Sequence, residues 1–248
     1  MASKDIELVF KDVQLSFANL FVPKANKNKK TGEVESYTIE AALLFDKGRS
    51  DHVEYIKQIQ AAQKQAIANE WPSNPPIIPP ENRCARPGEI VDPDTNEKIA
   101  RYEGYENKIV LSARRRLKDG DVDPATGKLI VPNPVQLLGP KKTDKDPVTG
   151  KARFPILNGS EGLLYSGAYV TVIVRVYPYN GTKHGNPHRV NCSLEVVKFK
   201  KHGQAFGAKP VDANSLLDDD QDDDGDDDMV SPGAAAAATA DDDDDLGL

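Results

Sequence analysis

Between Tyr169 and Tyr177 the chain reads YVTVIVRVY, and that stretch leaves little choice of backbone. Val170, Val172, Val174 and Val176 fall on every second residue, with Tyr169, Thr171, Ile173, Arg175 and Tyr177 between them. Side chains of an extended strand point alternately to opposite faces, and β-branched residues suit that backbone. The segment is therefore a strand with one all-valine face for a core and one face of Tyr and Arg. Glu35 to Phe45 repeats the pattern with Tyr37, Ile39, Ala41, Leu43 and Phe45 on one side. In Lys108 to Arg116, Ile109, Leu111 and Ala113 oppose Lys108, Ser112, Arg114 and Arg116. Shorter β-type runs occupy Ile6 to Phe10, Val13 to Phe17, Lys128 to Val131 and Val135 to Leu138, and Arg189 to Lys201 is the last strand.

One segment follows a different period. From Asp51 to about Glu70, Val53, Ile56, Ile59, Ala62, Ala66 and Ile67 recur at helical spacing, with Ser50 placed to cap the start and Trp71-Pro72 to stop it. Prolines then dominate to Pro93, so regular structure there is sparse, and Trp71 reads as a core anchor. A turn motif recurs as DPDTNEK at Asp92, DPATGK at Asp123 and DPVTGK at Asp146, with KTGE at Lys30. Pro sets the first corner, the Asp side chain caps the turn, and Gly or Asn takes the left-handed position. Seven or eight strands joined by tight turns, with one helix after the early strands, predict a mainly β fold. The leading architecture is an OB-fold-like Greek-key barrel with extended hairpin loops and one long α-helix.

The last stretch cannot belong to such a core. Asp218 to Leu248 contains no Lys, Arg or aromatic residue and ends in Asp241, Asp242, Asp243, Asp244 and Asp245 followed by Leu-Gly-Leu. Like charges repel and bury nothing, so 211–248 is expected to be a disordered acidic tail behind a body of 1–210. The whole chain carries 32 basic and 39 acidic residues, net −7. Fifteen of the acidic residues and no basic ones follow Pro210, which leaves the body with 32 basic against 24 acidic, net +8. A basic body on an acidic tether suits a polyanion ligand, with a tail that competes for the same surface or hands the protein to a partner. A plain solubility tail is the blander alternative.

Binding a single nucleic-acid strand requires a positive groove and exposed rings that stack on bases. Arg101, Tyr102, Tyr105 and Lys108 lead into Arg114, Arg115 and Arg116; Arg153 and Phe154 follow a lysine-rich loop; Arg175, Tyr177 and Tyr179 share a strand; Lys200 and Lys201 end the last one. These are the candidate contacts, and the loop from Lys24 (KANKNKKTGE) is either a phosphate-contacting arm or a solvated turn. Each tyrosine taken alone could equally cap the core with its ring.

Other chemistries are poorly served. His184, His188 and Cys192 have a weak metal-ligand spacing that Cys84 could complete, but no C-x-x-C pair exists. A phosphate loop fails because Lys145 stands where its first glycine belongs. In RLKDG from Arg116, Leu117 holds the lysine position of a nucleotidyl-transfer motif. A calcium loop around Gly225 would need Glu where Ser231 stands. No enzyme activity and no cofactor are expected. No apolar run reaches signal-peptide or membrane-span length, and two distant cysteines fit a reducing compartment, so a cytoplasmic protein without membrane contact is expected.

LLYSGAYVTVIVRVYPYNG with HRVNCSLEVVKFKKHGQAFGAKP resembles the C-terminal signature of the single-stranded DNA-binding proteins of tailed bacteriophages. The shared features are Tyr165-Ser166-Gly167 with Tyr169-Val170, Tyr177 with Tyr179, and Gly203 with Phe206-Gly207; LSFANLFVPK and YEGYENKIVLSARRR are similar too. The resemblance implies an OB-fold that coats single-stranded DNA in the infected bacterial cytoplasm during replication, recombination and repair. It also implies a tail that contacts replication or recombination proteins and shields the groove. Such tails often finish with an aromatic residue; Leu246 and Leu248 stand here instead. A homo-oligomer and strand annealing are compatible with this reading. The competing reading is an acidic-tailed structural or chaperone-like interaction protein with no single-strand preference; an enzyme on an OB scaffold is a third.

Tethering holds the tail's aspartates near the groove at high effective concentration. Cutting after Pro210 is therefore expected to tighten binding to a single strand at low salt, with the gain shrinking as salt rises. Titrations of the two forms across a salt series check this; equal low-salt affinities would remove the competition.

Overall fold

The computed structural model describes residues 5–206, apart from 29, 119, 148, 183 and 184. The elements in chain order are β1 (Ile6–Lys27), β2 (Val34–Asp46), α1 (Ser50–Glu70), β3 (Ala85–Pro87), β4 (Glu89–Val91), β5 (Lys98–Ala100), β6 (Lys108–Arg116), β7 (Gln136–Leu138), β8 (Asp144–Lys145), β9 (Ala152–Arg153), β10 (Tyr169–Tyr179) and β11 (Arg189–Lys201). The fold is mainly β with one long helix, as the alternation predicted. The tail, including Asp241 to Asp245, Leu246 and Leu248, lies outside the described residues.

β1 binds the sheet together. Its first part, Ile6 to Gln14, pairs antiparallel with β10, and from Gln14 onward it pairs with β2. β2 continues to β6 and β6 to β3, while β10 continues to β11 and β11 to β7. The two edges approach each other. Arg83, just before β3, bridges to Val190 of β11, and Arg115 of β6 reaches Glu195 of β11 at 2.9 Å. The seven strands run β3-β6-β2-β1-β10-β11-β7, and these two contacts bring the β6 side of the sheet round to β11 in a barrel-like closure.

The expected pair of short strands at the start is one 22-residue strand. Its register shifts between Phe10 and Val13 and again between Ser16 and Asn19, where Asp12 (φ 60°) and Phe17 (φ 45°) adopt left-handed backbone. These are β-bulges, which interrupt the period of two and bend the strand so that it can serve both halves. The strand also runs through Pro23 into the basic loop. The hairpin beyond closes on Asn28, whose side chain accepts from the Lys30 amide at 2.8 Å. Asp92, Asp123 and Asp146 cap their turns the same way, with Asn96, Gly127 and Gly150 in the left-handed position. Lys128 to Val131 forms no strand; Leu129 makes a single bridge to Val122.

All four valines of the β10 series are fully buried. They meet Phe10, Leu15, Ile39, Leu43, Leu111 and Leu194 in one core, covered by Ile59, Ala62 and Ala66 of α1. Phe10 packs edge-on to Phe45 at 5.0 Å and against Tyr55 of α1 at 5.1 Å. The helix begins one residue earlier than expected, so Arg49 is its N-cap and Ser50 its first residue. None of the described helices is long and apolar enough to cross a membrane.

Asp12 ties helix and barrel together. Its carboxylate meets Arg49 at 3.3 Å, Lys200 at 3.2 Å and Lys201 at 3.4 Å. Burial pushes its pKa up, but hydrogen bonds and charge from the two lysines outweigh this and hold it below the usual value. His52 accepts from the Asp46 amide through Nδ1 at 2.9 Å and faces the Asp12 carbonyl through Nε2 at 3.1 Å. The neutral tautomer with the proton on Nε2 satisfies both. Burial, helped by the Arg49 charge, lowers the His52 pKa.

A lowered folded-state pKa makes this stabilisation complete above the unfolded value of about 6.5 and erodes it as pH falls through that value. Urea midpoints for the native protein are expected to drop between pH 7.5 and 5. H52N, which keeps an acceptor near the Asp46 amide, is expected to be less stable at pH 7.5 by about 1–3 kcal/mol. Its pH dependence should be flatter; an unchanged slope would assign the titration to another group.

Candidate nucleic-acid interface

The outer faces of β1, β2, β6 and β3 form a trough of about 350 Å³. Cross-strand register builds it. Glu40 stands opposite Asn19 and Arg114, Ala42 opposite Ser16 and Ser112, and Arg86 opposite Val110. Ala42 and Ser112 are short, so the middle of the surface is low. Phe17, Lys24, Arg86, Arg101, Tyr102 and Arg114 stand around it.

The bulge in β1 supplies the first ring. Val13 and Leu15 point inward and are fully buried. Strict alternation would send Phe17 after them, yet the left-handed turn swings it out to 49 % exposure. It meets Tyr102 edge-on at 4.8 Å, and Tyr102 is 55 % exposed. Tyr102 in turn packs on Tyr105 at 5.3 Å. Tyr105 is buried, and its hydroxyl donates to Ser16 Oγ at 3.2 Å. Burial raises its pKa, so it is a neutral floor beneath the two exposed rings and not itself an open stacking face.

A smaller hollow of about 90 Å³ shares Arg86, Ser112 and Arg114 with the trough and adds Arg83 and Arg189. Cys84 and Cys192 lie at its base as free, buried thiols. Burial pushes the Cys192 thiol well up, while the Gln63 amide contacts Cys84 Sγ at 3.6 Å.

Ion pairing divides the basic residues expected to bind. Among the described residues Arg86, Arg101, Arg114 and Arg189 have no carboxylate partner. Lys24 pairs with Glu40 at 2.8 Å on the trough wall. Elsewhere several of the expected contacts have carboxylate partners. Arg115 is held by Glu195 and by Ser193 Oγ at 3.3 Å, closing the barrel. Arg175 faces Glu7 at 3.6 Å, and Lys108 faces Asp46 at 3.9 Å. Lys200 and Lys201 serve Asp12, and Lys201 also lies over the Tyr169 ring at 4.6 Å. Arg116 is exposed at the end of β6.

The remaining candidates sit apart from the trough lining. Tyr177 and Tyr179 are half-buried on β10, where burial raises the Tyr177 pKa. Arg153 lies on the β8–β9 hairpin, and the ring of Phe154 carries Lys198 at 4.3 Å and Lys142 at 5.5 Å. For the metal alternative, His188 packs edge-on to Trp71 at 4.9 Å, Cys192 is buried beside Cys84, and His184 lies outside the described residues. Among the described residues no three His, Cys, Asp or Glu converge on a metal position. Sequence reading missed Phe17, Arg83, Arg86 and Arg189 as lining residues, while Lys24 begins the basic loop it had offered as a phosphate-contacting arm. Phe17 gave no local signal, because alternation places it with Val13 and Leu15 and only the bulge turns it outward.

Arginines without a carboxylate partner among the described residues and two exposed rings thus surround one trough, a combination that suits a polyanion carrying flat bases. The chain belongs to the family described as Enterobacter phage Enc34, ssDNA-binding protein, which it matches over residues 6–230. It is 26 % identical over 202 residues to protein p50 of Acyrthosiphon pisum secondary endosymbiont phage 1, covering 81 % of this chain and 86 % of that one. Its fold is similar to that of the single-stranded DNA-binding protein from bacteriophage Enc34 in complex with ssDNA, with a TM-score of 0.53 and 18 % identity. That match covers 81 % of this chain and 89 % of the other. A further structure of the single-stranded DNA-binding protein from bacteriophage Enc34 gives a TM-score of 0.52 at 17 % identity, covering 85 % of this chain and 89 % of that one.

Proposed function

We propose that this chain binds single-stranded DNA without reading its sequence, along the trough between Lys24 and Arg189. The observation that carries the reading is the exposed Phe17–Tyr102 pair beside arginines with no carboxylate partner among the described residues. Phe17 and Tyr102 stack on bases; Arg86, Arg101 and Arg114 contact phosphate. The low middle of the floor, Ala42 and Ser112, offers few groups able to distinguish base edges, and Asn19 and Glu40 line the trough beside it. Family membership and the likeness to a phage protein solved with ssDNA support this reading. The protein acts as a binding protein, coating DNA strands exposed during phage replication, recombination and repair in the infected bacterium. Its acidic tail engages replication or recombination proteins and competes with DNA for the trough.

The test is titration of a labelled oligo(dT), a duplex and an RNA of equal length over a salt series. Tight, salt-dependent binding to the single strand and weaker binding to duplex are expected. R114A is expected to weaken binding to all sequences alike and to lower the log–log salt slope by about one. Y102A should cost about 1–3 kcal/mol and leave the slope unchanged. R175A, removing a surface residue paired with Glu7, should bind within about twofold of the native protein. No preference for the single strand would favour the interaction-protein reading instead.

A further inference from the structure

The Tyr165-Ser166-Gly167 and Gly203-to-Phe206 segments that carry the family signature do not line the trough. They bind each other. Tyr165 donates its hydroxyl to the Gly203 carbonyl at 2.9 Å and accepts from the Gly203 amide at 3.2 Å. The Phe206 amide donates to the Ser166 carbonyl at 3.1 Å. The backbones are so close that a Cβ on Gly167 would strike the Gln204 carbonyl, and one on Gly203 the Gly167 carbonyl and the Tyr169 ring. After β11 the chain is thus strapped across the turn that precedes β10.

The strap ends on the trough's aromatic loop. The Phe206 ring packs with Ala42, Leu44, Tyr105 and Val110, beside the main core. It covers Gly104, where a Cβ would meet the ring, with Cζ 2.9 Å away. Gly104 has φ +76° and lies between Tyr102 and Tyr105, next to the latter. Other contacts also fix the loop: within it the Tyr105 amide donates to the Tyr102 carbonyl at 3.1 Å. The Arg101 amide donates to the Gly88 carbonyl at 2.9 Å, and the Asn107 amide to Glu89 Oε1 at 3.1 Å. In between, the Tyr105 hydroxyl and the Phe206 ring also hold it.

We infer that Phe206 is a positioning residue for single-strand binding: its ring on Gly104 holds the 101–107 loop so that Tyr102 presents its face beside Phe17. The inference rests on the stacking role proposed for Tyr102. Phe206 itself touches no ligand. Its contribution is the order it imposes on the residue that does, because a ring free to rotate away must lose that freedom on binding.

The experiment is a double-mutant cycle in the full-length protein, read as affinity for oligo(dT) over a salt series. Y102A is expected to weaken binding by about 5- to 150-fold, the range for one lost stacked base. F206A should weaken it by about tenfold or less within that range, with the salt slope unchanged because no phosphate contact is lost. F206L, which keeps an apolar cover on Gly104, should recover most of the loss. In the Y102A background F206A should add nothing. Additive losses, or F206A binding like the native protein while Y102A does not, would overturn the inference. A native-like Y102A would instead remove the stacking reading and the inference that depends on it. A changed salt slope in F206A would also overturn it, since that reports altered charge contacts and not a displaced ring.

Discussion

Everything in this barrel depends on β1 serving two neighbours in turn. A straight strand of 22 residues cannot lie flat against β10 and then against β2 while both curve around one core. The bulges at Asp12 and Phe17 resolve the conflict. Each extra residue is put to use. Asp12 turns its carboxylate to Arg49, Lys200 and Lys201 and its carbonyl to His52, so the bend is where helix, first strand and last strand are tied. Phe17 leaves the core series and becomes part of the outer surface. Closure of the fold and creation of the trough come from the same departure from regular alternation.

The charge pattern follows a related logic. A cation beside a carboxylate is already neutralised locally, and what it offers a phosphate is reduced by the partner it must give up. Arg115, Arg175, Lys200 and Lys201 are of this kind and serve the barrel. Arg86, Arg101, Arg114 and Arg189 have no such partner among the described residues, and they share the face on which Phe17 and Tyr102 are exposed. The net positive charge of the body is therefore divided between cations held in ion pairs and cations without a carboxylate partner among the described residues.

Much of the fold was legible in the sequence because burial on one face imposes a period of two. β6 and β11 begin and end where the alternation does, the valine face of β10 is fully buried, and the Asp-capped turns close as their residues require. The continuity of β1 was not legible, since a bulge erases the period that identifies a strand. Ser50 looks like a cap, but Arg49 takes that place and pairs with Asp51 at 2.7 Å. For the trough, Arg101, Tyr102 and Arg114 could be picked out because they lie near one another along the chain. Arg86 sits in a proline-rich stretch with no pattern, and only its register against Val110 brings it there. The partners that withdraw Arg115 and Arg175 are distant in sequence, so the local runs gave no hint of them.

The side of the barrel between β6 and β11 differs from the rest. The other long strands are joined by backbone ladders, whereas here one bridge at Arg83 and the Arg115 side chain on Glu195 span the gap. Side chains rotate more easily than a hydrogen-bonded ladder shears. The body therefore has a compliant line beside a stiff frame, and Arg86 and Arg114 stand on the compliant side. The smaller hollow between Arg83 and Arg189 lies along that line, so of the two depressions it is the one whose width side-chain rotation can change.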